Sequence, residues 1–369
     1  MMDRFGFVLE QTLGHVAHGK NIERALAREP SILPAVIHIG FSDPAGLERL
    51  PGLRTWSWRA SVHARSGLRE SLRAGPLDAI FIHTQVAALL ATDIMRSVPT
   101  VVSLDATPTL FDREGEAYGH RRDPDMVEMV KKRLNVRAFR SAARLVAWCH
   151  WAAYSLVTDY GVSLEKIDVI PPGVDLNLFR PSLLGKPSKR ARILFVGGQF
   201  ERKGGPELLE AARGLGDDVE LDIVTGSDAG PIPAGLRTRI HRGMQPQSDK
   251  LVALYRAADI FALPSRGDCM PQAVIEAIAC GLPVVATRVG AIPEMVTDGV
   301  NGYLVPARDP RALAEALGSL VKHPGRRHPM GRHSRVRAQQ NFDADQNNRR
   351  IFGLMRRVAA ERTIAARSA

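Results

Sequence analysis

Cysteine and long apolar runs are scarce in this chain of 369 residues. Its three cysteines, Cys149, Cys269 and Cys280, are an odd number without metal-ligand spacing, which argues against a disulfide framework and fits reduced thiols that pack inside the protein. No apolar run approaches the roughly 18 residues that a membrane-spanning helix needs. The N-terminus enters the strand-like segment FGFVL without a signal-peptide pattern. These absences predict a cytoplasmic protein.

Motifs of several other functions are also missing. The P-loop spacing G-x-x-x-x-G-K-[ST] does not occur, and no local motif indicates a serine or cysteine nucleophile. His15 and His18 lie three residues apart, but a metal site needs a third and a fourth ligand, for which no candidate is evident. We therefore expect neither a metal nor a bound cofactor.

The length and the order of apolar segments predict two α/β domains. The chain is 45% apolar and suits two cores better than one. Strand-like and helix-like runs alternate from end to end, which is typical of parallel sheets. The predicted strands are residues 5–9, 35–39, 79–83, 100–104, 145–148, 193–196, 220–224, 259–263, 283–286 and 303–305. A polar tract up to residue 192 is the linker, so we expect doubly wound domains at 1–172 and 173–345, with a basic helix at 346–369 that packs back toward the first domain.

The net charge of +11 is concentrated in two stretches. From residue 321 to the end, twelve Lys or Arg stand against three Asp or Glu. The second stretch consists of Lys131, Lys132, Arg133, Arg137, Arg140 and Arg144, the last four of which follow the spacing of one helix face. Such stripes attract anionic lipid head groups, although solvated helix faces have the same composition. No basic patch contains interleaved aromatic residues, so we do not expect nucleic acid as a partner.

Residues 264–302 combine an acidic loop with the start of a helix. The apolar run DIFALPS predicts a buried parallel strand, and Pro271 is well placed at the first turn of a helix that Gly281 ends. Asp268 then lies in the loop at the carboxyl end of the strand, and Glu276 lies on the helix. Helix N–H groups favour an anion, and carboxylates accept hydrogen bonds from hydroxyl groups. A ligand that has both phosphate and polyol parts is a nucleotide sugar.

A second phosphate-binding element is predicted at residues 193–211, ILFVGGQFERKGGPELLEA. The pattern indicates a strand, a glycine-rich turn and a helix. Glycines let the main chain approach a phosphate closely. Arg202 and Lys203 would offset the diphosphate charge that grows as a glycosidic bond breaks. An ordinary solvated turn is the alternative.

Three loops in the first half of the chain hold further candidates. Gly14 and His15 follow the first strand, and we expect His15 to form a hydrogen bond to the acceptor or to a phosphate. His83 ends the strand DAIFIHT, where it either faces a ligand or belongs to the core. Asp105 ends the next strand and is the best candidate for substrate contact in a long polar loop.

With these motifs the chain resembles the retaining glycosyltransferases of the GT-B fold in family 4. Asp268 and Glu276 have the spacing of two donor-site glutamates of that family, and an A-x-G-x-P-V-V-A-T run follows them. A VIPPGVD turn lies at the domain boundary, as is common in the family. The resemblance covers most of residues 145–310 and is weak before residue 80. It implies two Rossmann-like doubly wound domains that face each other across a cleft, with the donor bound by the second domain.

The resemblance also implies roles for single residues. Asp268 would contact the hydroxyls of the transferred sugar, and Glu276 those of the ribose. Lys203 corresponds to the phosphate-binding lysine of the family. Because Gly198 stands where many relatives carry an arginine, Arg202 would supply the second cation. The remaining donor contacts would come from Gly14, Gly197, Cys269, Met270, Pro271 and Gln272.

Two departures from the family pattern concern the place where the sugar would bind. Aspartate replaces the first glutamate, and Cys-Met-Pro-Gln stands where Gly-Phe-Gly-Leu is usual. Because a carboxylate is kept, we expect Asp268 to keep its role with a reach that is one methylene shorter. His83 corresponds to a histidine that in many family members lies near the transferred sugar.

We therefore predict a glycosyltransferase that moves a sugar from a nucleoside diphosphate sugar to a hydroxyl of a glycan or lipid-linked acceptor. The family reaction implies attack from the face that the diphosphate leaves, with retention of configuration. His83, Arg202, Lys203 and Asp268 form the predicted catalytic group, and His15 and Asp105 the acceptor side. An anionic membrane surface is a further predicted partner, at the inner face of the plasma membrane. A sugar-nucleotide epimerase of the same fold and a non-catalytic nucleotide-sugar-binding protein are the alternatives.

Overall fold

A computed structural model describes residues 2–12, 14–40, 56–119, 123–182 and 189–368. The chain divides into two compact units. The first unit contains Met1–Phe111, Arg122–Pro172 and Asp345–Ala369, and the second contains Asp112–Arg121 and Gly173–Ala344. Within the described residues no helix is both long and apolar enough to cross a bilayer.

The strands of the described residues all belong to one of two sheets. In chain order they are β1 (Asp3–Gln11), β2 (Ile32–Gly40), β3 (Ala79–His83), β4 (Thr100–Leu104), β5 (Arg144–Ala147), β6 (Ile167–Val169), β7 (Ala191–Val196), β8 (Val219–Val224), β9 (Thr238–His241), β10 (Ile260–Leu263), β11 (Val284–Thr287) and β12 (Gly302–Val305).

Helices separate most of these strands. They are α1 (His15–Leu26), α2 (Trp56–Arg73), α3 (Gln85–Ala88), α4 (Thr92–Ser97), α5 (Pro108–Arg113), α6 (Asp125–Ser141), α7 (His150–Thr158), α8 (Gly205–Arg213), α9 (Asp249–Ala257), α10 (Gln272–Ala279), α11 (Ile292–Met295), α12 (Pro310–Lys322), α13 (Arg327–Asn341) and α14 (Ala344–Ser368).

The first unit is built on a parallel sheet with the strand order β2-β1-β3-β4-β5-β6. Its central strands are buried on both faces, which explains why they are nearly continuous apolar runs. The helix α14, from the far end of the chain, packs into the same core. Phe352 makes an edge-to-face contact with Phe7 at 6.0 Å between ring centroids, and Met355 is fully buried in this cluster.

The second unit repeats the architecture with a parallel sheet ordered β12-β11-β10-β7-β8-β9. Tyr255 of α9 stacks on Phe261 of β10 at 5.8 Å, and both side chains are fully buried. The predicted fold class, α/β with two Rossmann-like doubly wound domains, is confirmed. Among the predicted domain bounds, the short segment Asp112–Arg121 departs from a single boundary at 172, because it groups with the second unit.

One part of the predicted basic stripe is wrong. Arg144 does not continue the helical face of Arg133, Arg137 and Arg140, because α6 ends at Ser141. Arg144 begins β5 instead, and its guanidinium forms an ion pair with Asp168 at 2.9 Å. The helical stripe therefore ends with Arg140.

Candidate functional site

The topology of each sheet marks one place where a ligand is expected. The strand order reverses between β1 and β3 in the first sheet and between β7 and β10 in the second. In open α/β sheets ligands bind outside the carboxyl ends of the strands at such a reversal. In the first unit His15 follows β1 and His83 ends β3, and in the second unit Lys203 follows β7 and Asp268 follows β10. Both predicted groups thus lie at the favoured edge of their own sheet.

A buried ion pair joins the two loops of the second unit. Lys203 Nζ contacts Asp268 Oδ2, and Ser265 Oγ donates a hydrogen bond to the same oxygen at 3.1 Å. Only 14% of the lysine side chain and 7% of the aspartate side chain are exposed. Burial lowers the pKa of Lys203, Asp268 opposes this change, and the neighbouring Arg202 adds to it. Lys203 and Arg202 thus place two cations side by side in this loop, which suits an anionic ligand.

Arg202 is held at the edge of this ion pair by two contacts. Its Nη1 donates a hydrogen bond to the Gly267 carbonyl at 2.9 Å, and its guanidinium carbon lies 4.2 Å from the centre of the Tyr118 ring. Gly197 gives Lys203 the space to cross the loop, since a Cβ at Gly197 would lie 2.8 Å from the Lys203 Cβ and Cγ atoms. The predicted phosphate loop therefore presents two oriented cations.

The turn before α10 is tightly packed. Cys269 and Met270 are 5% and 6% exposed, so their side chains serve the interior. Pro271 occupies the N-cap of α10 and, having no N–H group, can offer a ligand only its ring and carbonyl. The predicted main-chain contacts of this turn are thereby restricted to Cys269, Met270 and Gln272.

Two buried polar side chains on α10 indicate a polar ligand. Gln272 is 8% exposed, and neither its amide oxygen nor its amide nitrogen has a hydrogen-bond partner in the described structure. Glu276 follows one turn later on the same face. Burial raises the pKa of Glu276 to about 7, and the nearby Tyr255 hydroxyl opposes that rise. Because buried polar groups are normally hydrogen-bonded, an amide without a partner in the described residues is available to a ligand.

The first unit contains a cluster of imidazole and indole rings at the ends of β1, β3 and β5. His15 Nδ1 lies 3.1 Å from His83 Nε2. The ring of Trp148 stacks on His83 at 5.5 Å between centroids, and His18 contacts His83 at 4.9 Å. The Trp148 N–H donates a hydrogen bond to Ser103 Oγ at 2.8 Å. His83 is thus enclosed on three sides.

Both buried histidines of this cluster are neutral. Burial, reinforced by His15, lowers the pKa of His18 to about 3. Burial, with His18 and His15, also holds the pKa of His83 well below its ordinary value. Neither ring nitrogen of His18 has a partner in the described part of the chain, and His83 Nδ1 also lacks one. Over the same residues, no group of three or more His, Cys, Asp or Glu is arranged to hold a metal ion.

The other predicted residues of the first unit lie beside the cluster. Asp105 accepts a hydrogen bond from the Ala106 N–H at 2.9 Å. Burial raises the pKa of Asp105, His15 opposes this rise, and Glu10 adds to it. Gly14 is the N-cap of α1 with φ −68° and ψ −15°, a conformation open to any residue. Its predicted contact with the donor stays a prediction.

A carboxylate that the sequence interpretation did not single out connects the loops of this cluster. Glu10, 5% exposed at the end of β1, accepts hydrogen bonds from the hydroxyls of Thr12 and Thr84, the latter at 2.6 Å. Thr84 directly follows His83 and has φ +89°, which is unusual for a β-branched residue. An acidic residue at the end of an apolar strand was the only local signal for Glu10.

Comparisons with known proteins agree with this geometry. The family model described as "Glycosyl transferases group 1" matches residues 190–323, and the model described as "Glycosyltransferase Family 4" matches residues 21–178. A D-inositol 3-phosphate glycosyltransferase of Paenarthrobacter aurescens is 32% identical over 288 residues, which are 72% of this chain and 69% of that protein. The chain belongs to the group 1, family 4 glycosyltransferases. The predicted membership of family 4 is confirmed.

A second relative of this family 4 chain matches over a shorter length. A D-inositol 3-phosphate glycosyltransferase of Xylanimonas cellulosilytica is 35% identical over 225 residues. That match spans 55% of this chain and 54% of the relative, about half of its length.

Solved structures show the same fold. The sucrose-phosphate synthase of Thermosynechococcus elongatus superposes with a TM-score of 0.75 at 18% identity, over 97% of this chain and 100% of that one. The Anabaena protein HepE, solved in complex with UDP-glucose, superposes with a TM-score of 0.66 at 20% identity, over 95% of this chain and 99% of that one. These likenesses support the GT-B assignment.

Proposed function

We propose that this protein transfers a sugar from a nucleoside diphosphate sugar to an acceptor hydroxyl. The observation that carries the proposal is the arrangement at the reversal of the second sheet. There the buried Lys203–Asp268 pair and Arg202 supply charge for a diphosphate, and α10 adds the unpaired amide of Gln272 and the carboxyl of Glu276 for hydroxyl groups. The family membership and the UDP-glucose complex of HepE support the same donor class.

Charge stabilisation by protein cations is central to the proposed reaction. Lys203 and Arg202 would stabilise the diphosphate as the glycosidic bond breaks, without need of a metal. Asp268 is already engaged by Lys203 and Ser265, so we assign it to binding sugar hydroxyls and not to forming a covalent bond. The acceptor hydroxyl would then attack the face that the diphosphate leaves, its proton passing to the departing phosphate, and configuration would be retained. In the first unit, neutral His83 would bind a sugar hydroxyl.

A donor and acceptor panel tests this proposal. Purified protein is incubated with UDP- and GDP-sugars, with and without acceptors, in buffer containing EDTA. We expect transfer to an acceptor, a product whose anomeric configuration equals that of the donor by nuclear magnetic resonance, and loss of transfer in Lys203→Ala. Interconversion of donor sugars without an acceptor would favour the epimerase, and donor binding without turnover would favour the binding protein.

The acceptor is the less constrained substrate. We propose a glycan or lipid-linked hydroxyl, because the segment that begins with Asp105 after β4 is long and polar. The relatives named D-inositol 3-phosphate glycosyltransferases favour a second candidate, a phosphorylated polyol. The panel therefore includes D-inositol 3-phosphate beside lipid-linked glycans, and the acceptor with the highest kcat/KM decides between them.

We further propose that α6 binds an anionic membrane surface at the inner face of the plasma membrane. A surface pocket of about 800 Å³ lies along the helix and is lined by Arg96, Met129, Lys132, Arg133, Val136, Arg137, Arg140 and Ser141. Exposed apolar side chains lie on the same helix, among them Met126, 74% exposed, and Val130, 46% exposed. Cationic and apolar groups on one helix are the combination that lipid head groups and the acyl boundary attract.

The basic C-terminal stretch is a weaker candidate for the membrane. Arg335 donates hydrogen bonds to the carbonyls of Phe179 and Ala279, and Arg356 pairs with Asp3. These cations are therefore engaged inside their own units. Truncation after about residue 345 would also remove α14 from the core of the first unit, so it cannot test membrane binding by itself.

Charge reversal on α6 is the sharper test. Arg133→Glu with Arg137→Glu should abolish sedimentation with vesicles of phosphatidylcholine and phosphatidylglycerol. The control, Arg69→Glu with Arg213→Glu, changes the net charge equally at other exposed positions. Wild-type binding should weaken as salt rises. Equal binding by both double variants would contradict the proposal.

A further inference from the structure

A short arm of the chain, residues 112–119, belongs to the second unit although its neighbours in sequence belong to the first. It contacts the loops that carry Arg202 and Asp268. The Tyr118 ring packs on the Arg202 guanidinium at 4.2 Å, and the Tyr118 hydroxyl lies 3.8 Å from Cys269 Sγ. Glu116 pairs with Arg308 at 3.2 Å. The arm is therefore anchored on the second unit at separate points.

Glu114 is the residue that these anchors bring to the predicted donor loop. A Cβ built on Gly267 would lie 2.9 Å from Glu114 Oε2. Burial raises the pKa of Glu114, and the Asp268 carboxylate raises it further. The main-chain N–H groups of Gly290 and Asp268 lie near the Glu114 carboxylate and lower its pKa. Asp268, from a distant part of the sequence, is thus close enough to affect the pKa of Glu114.

The Glu114 carboxyl group can still accept hydrogen bonds from a ligand. A carboxylate offers about four acceptor positions, and the two nearby main-chain N–H groups can fill at most two of them. The side chain is only partly buried, so the remaining positions are accessible. The ligand chemistry that fits two carboxylates beside Lys203 is a polyol, whose hydroxyls donate to the acids.

This location coincides with the departures of the sequence from the family pattern. Asp268 has one methylene less than the usual glutamate, and the residue that follows it, Cys269, contacts Tyr118 of the arm. A glutamate at 268 would place a longer acidic side chain in the loop that Glu114 approaches, where like charges repel each other. The short acid and the arm are therefore compatible with each other.

We propose that Glu114 is an additional sugar-binding residue of the donor site, which supplies the carboxylate reach that Asp268 lacks and contributes to the choice of donor sugar. The assignment rests on the proposed function. It concerns the sugar part of the donor only, because the predicted nucleotide contacts lie on Gln272 and Glu276 of α10.

Binding of UDP-glucose and of UDP, measured by calorimetry, separates the sugar from the nucleotide. Glu114→Gln should lower the affinity for UDP-glucose about tenfold, because a hydrogen bond to a charged acceptor is lost. The affinity for UDP should stay within about twofold of the wild-type value. Glu315→Gln is the control, because it removes an acid of the second unit that is 69% exposed on α12 and lies outside the arm. It should change neither affinity, and thermal melting should show both variants folded.

A second set of variants tests the compatibility of the two acids. Asp268→Glu alone should lower the affinity for UDP-glucose. Asp268→Glu combined with Glu114→Gln should recover much of that affinity, because the longer acid then has a neutral neighbour. If Glu114→Gln lost affinity for UDP and for UDP-glucose equally, or lost no affinity at all, the role assigned to Glu114 would be overturned. The proposed function would not be affected. A wild-type protein that binds neither UDP- nor GDP-sugars would overturn the proposed function and this assignment with it.

Discussion

Gly290 lies against the main chain of Asp268, so that a Cβ on Gly290 would meet the Asp268 carbonyl oxygen at 1.8 Å. Gly290 also has φ +49°, a left-handed conformation that L side chains rarely adopt. The next residue, Ala291, donates its N–H to the Cys269 carbonyl at 2.8 Å. The loop after β11 therefore fixes the main chain on which the predicted sugar-binding acid is mounted.

We expect Gly290→Ala to displace the Asp268 loop and to weaken UDP-glucose binding by more than about tenfold, at a cost of several kcal/mol in the stability of the second unit. Gly299→Ala is the matched control. Gly299 has φ +76° with nothing within 4 Å of an added Cβ, so its cost should be about 1 kcal/mol of conformational strain. Calorimetry and hydrogen exchange of α10 measure the two effects. Similar losses in both variants would contradict the steric argument.

Much of the fold could be predicted because each central strand carries its own apolar signal. The strands that the sequence interpretation missed, β6 and β9, are the edges of their sheets. Ile167–Val169 has three residues, and Thr238–His241 contains more polar than apolar side chains. Such segments become strands because a neighbouring strand offers hydrogen bonds, which is a tertiary effect that local pattern does not encode.

The site could be predicted where its residues lie close together in sequence. Asp268 and Glu276 are eight positions apart, and Arg202 and Lys203 are adjacent. Glu114 reaches Asp268 across about 150 residues, and no local pattern marks it. Long-range side-chain pairs of this kind follow from the packing of whole elements and leave little trace in a single sequence.

Glu276 should make the stability of the second unit depend on pH. Its pKa in the folded protein, about 7, exceeds the ordinary value of 4.5, so the folded state binds the proton more tightly than the unfolded chain. Stability is then highest below about pH 4.5 and declines by about 3 kcal/mol as the pH rises through 7. Glu276→Gln cannot ionise, and we expect it to be more stable than the wild type at pH 8 but not at pH 5. Hydrogen exchange of α10 at the two pH values measures this difference.

Glu276→Gln should also weaken the binding of the donor, because the ribose hydroxyls would lose an ionised acceptor. Glu315→Gln, at an exposed position of α12, is the control for removal of one acid and should change neither quantity. A stabilisation by Glu276→Gln that is equal at pH 5 and pH 8 would contradict the assigned titration.

His18 should give the first unit the opposite dependence on pH. Its pKa is about 3 in the folded protein against an ordinary 6.5, so the unfolded chain binds the proton first. Stability is fully present above pH 6.5 and falls as the pH decreases toward 3, by about 2 kcal/mol at pH 5. His18→Gln should remove that loss, whereas His38→Gln, at an exposed position of β2, should not.

Tryptophan fluorescence during urea unfolding measures the stability of the first unit, because all four tryptophans lie in it: Trp56, Trp58, Trp148 and Trp151. An unchanged acid sensitivity of His18→Gln would refute the explanation.

Thr84 should influence catalysis through the position of His83. Its hydroxyl donates to the buried Glu10 carboxylate at 2.6 Å while its backbone is held at φ +89°. Thr84→Val keeps the shape but leaves the carboxylate with one partner less, at a cost of about 1–3 kcal/mol. The main chain should then relax, turn the His83 imidazole and lower kcat with little change in the donor KM. Thr84→Ser keeps the hydroxyl and should retain most of the activity. Steady-state kinetics of the three proteins measure this, and a valine variant as fast as the wild type, or a serine variant as slow as the valine variant, would contradict positioning of His83 by the hydrogen bond alone.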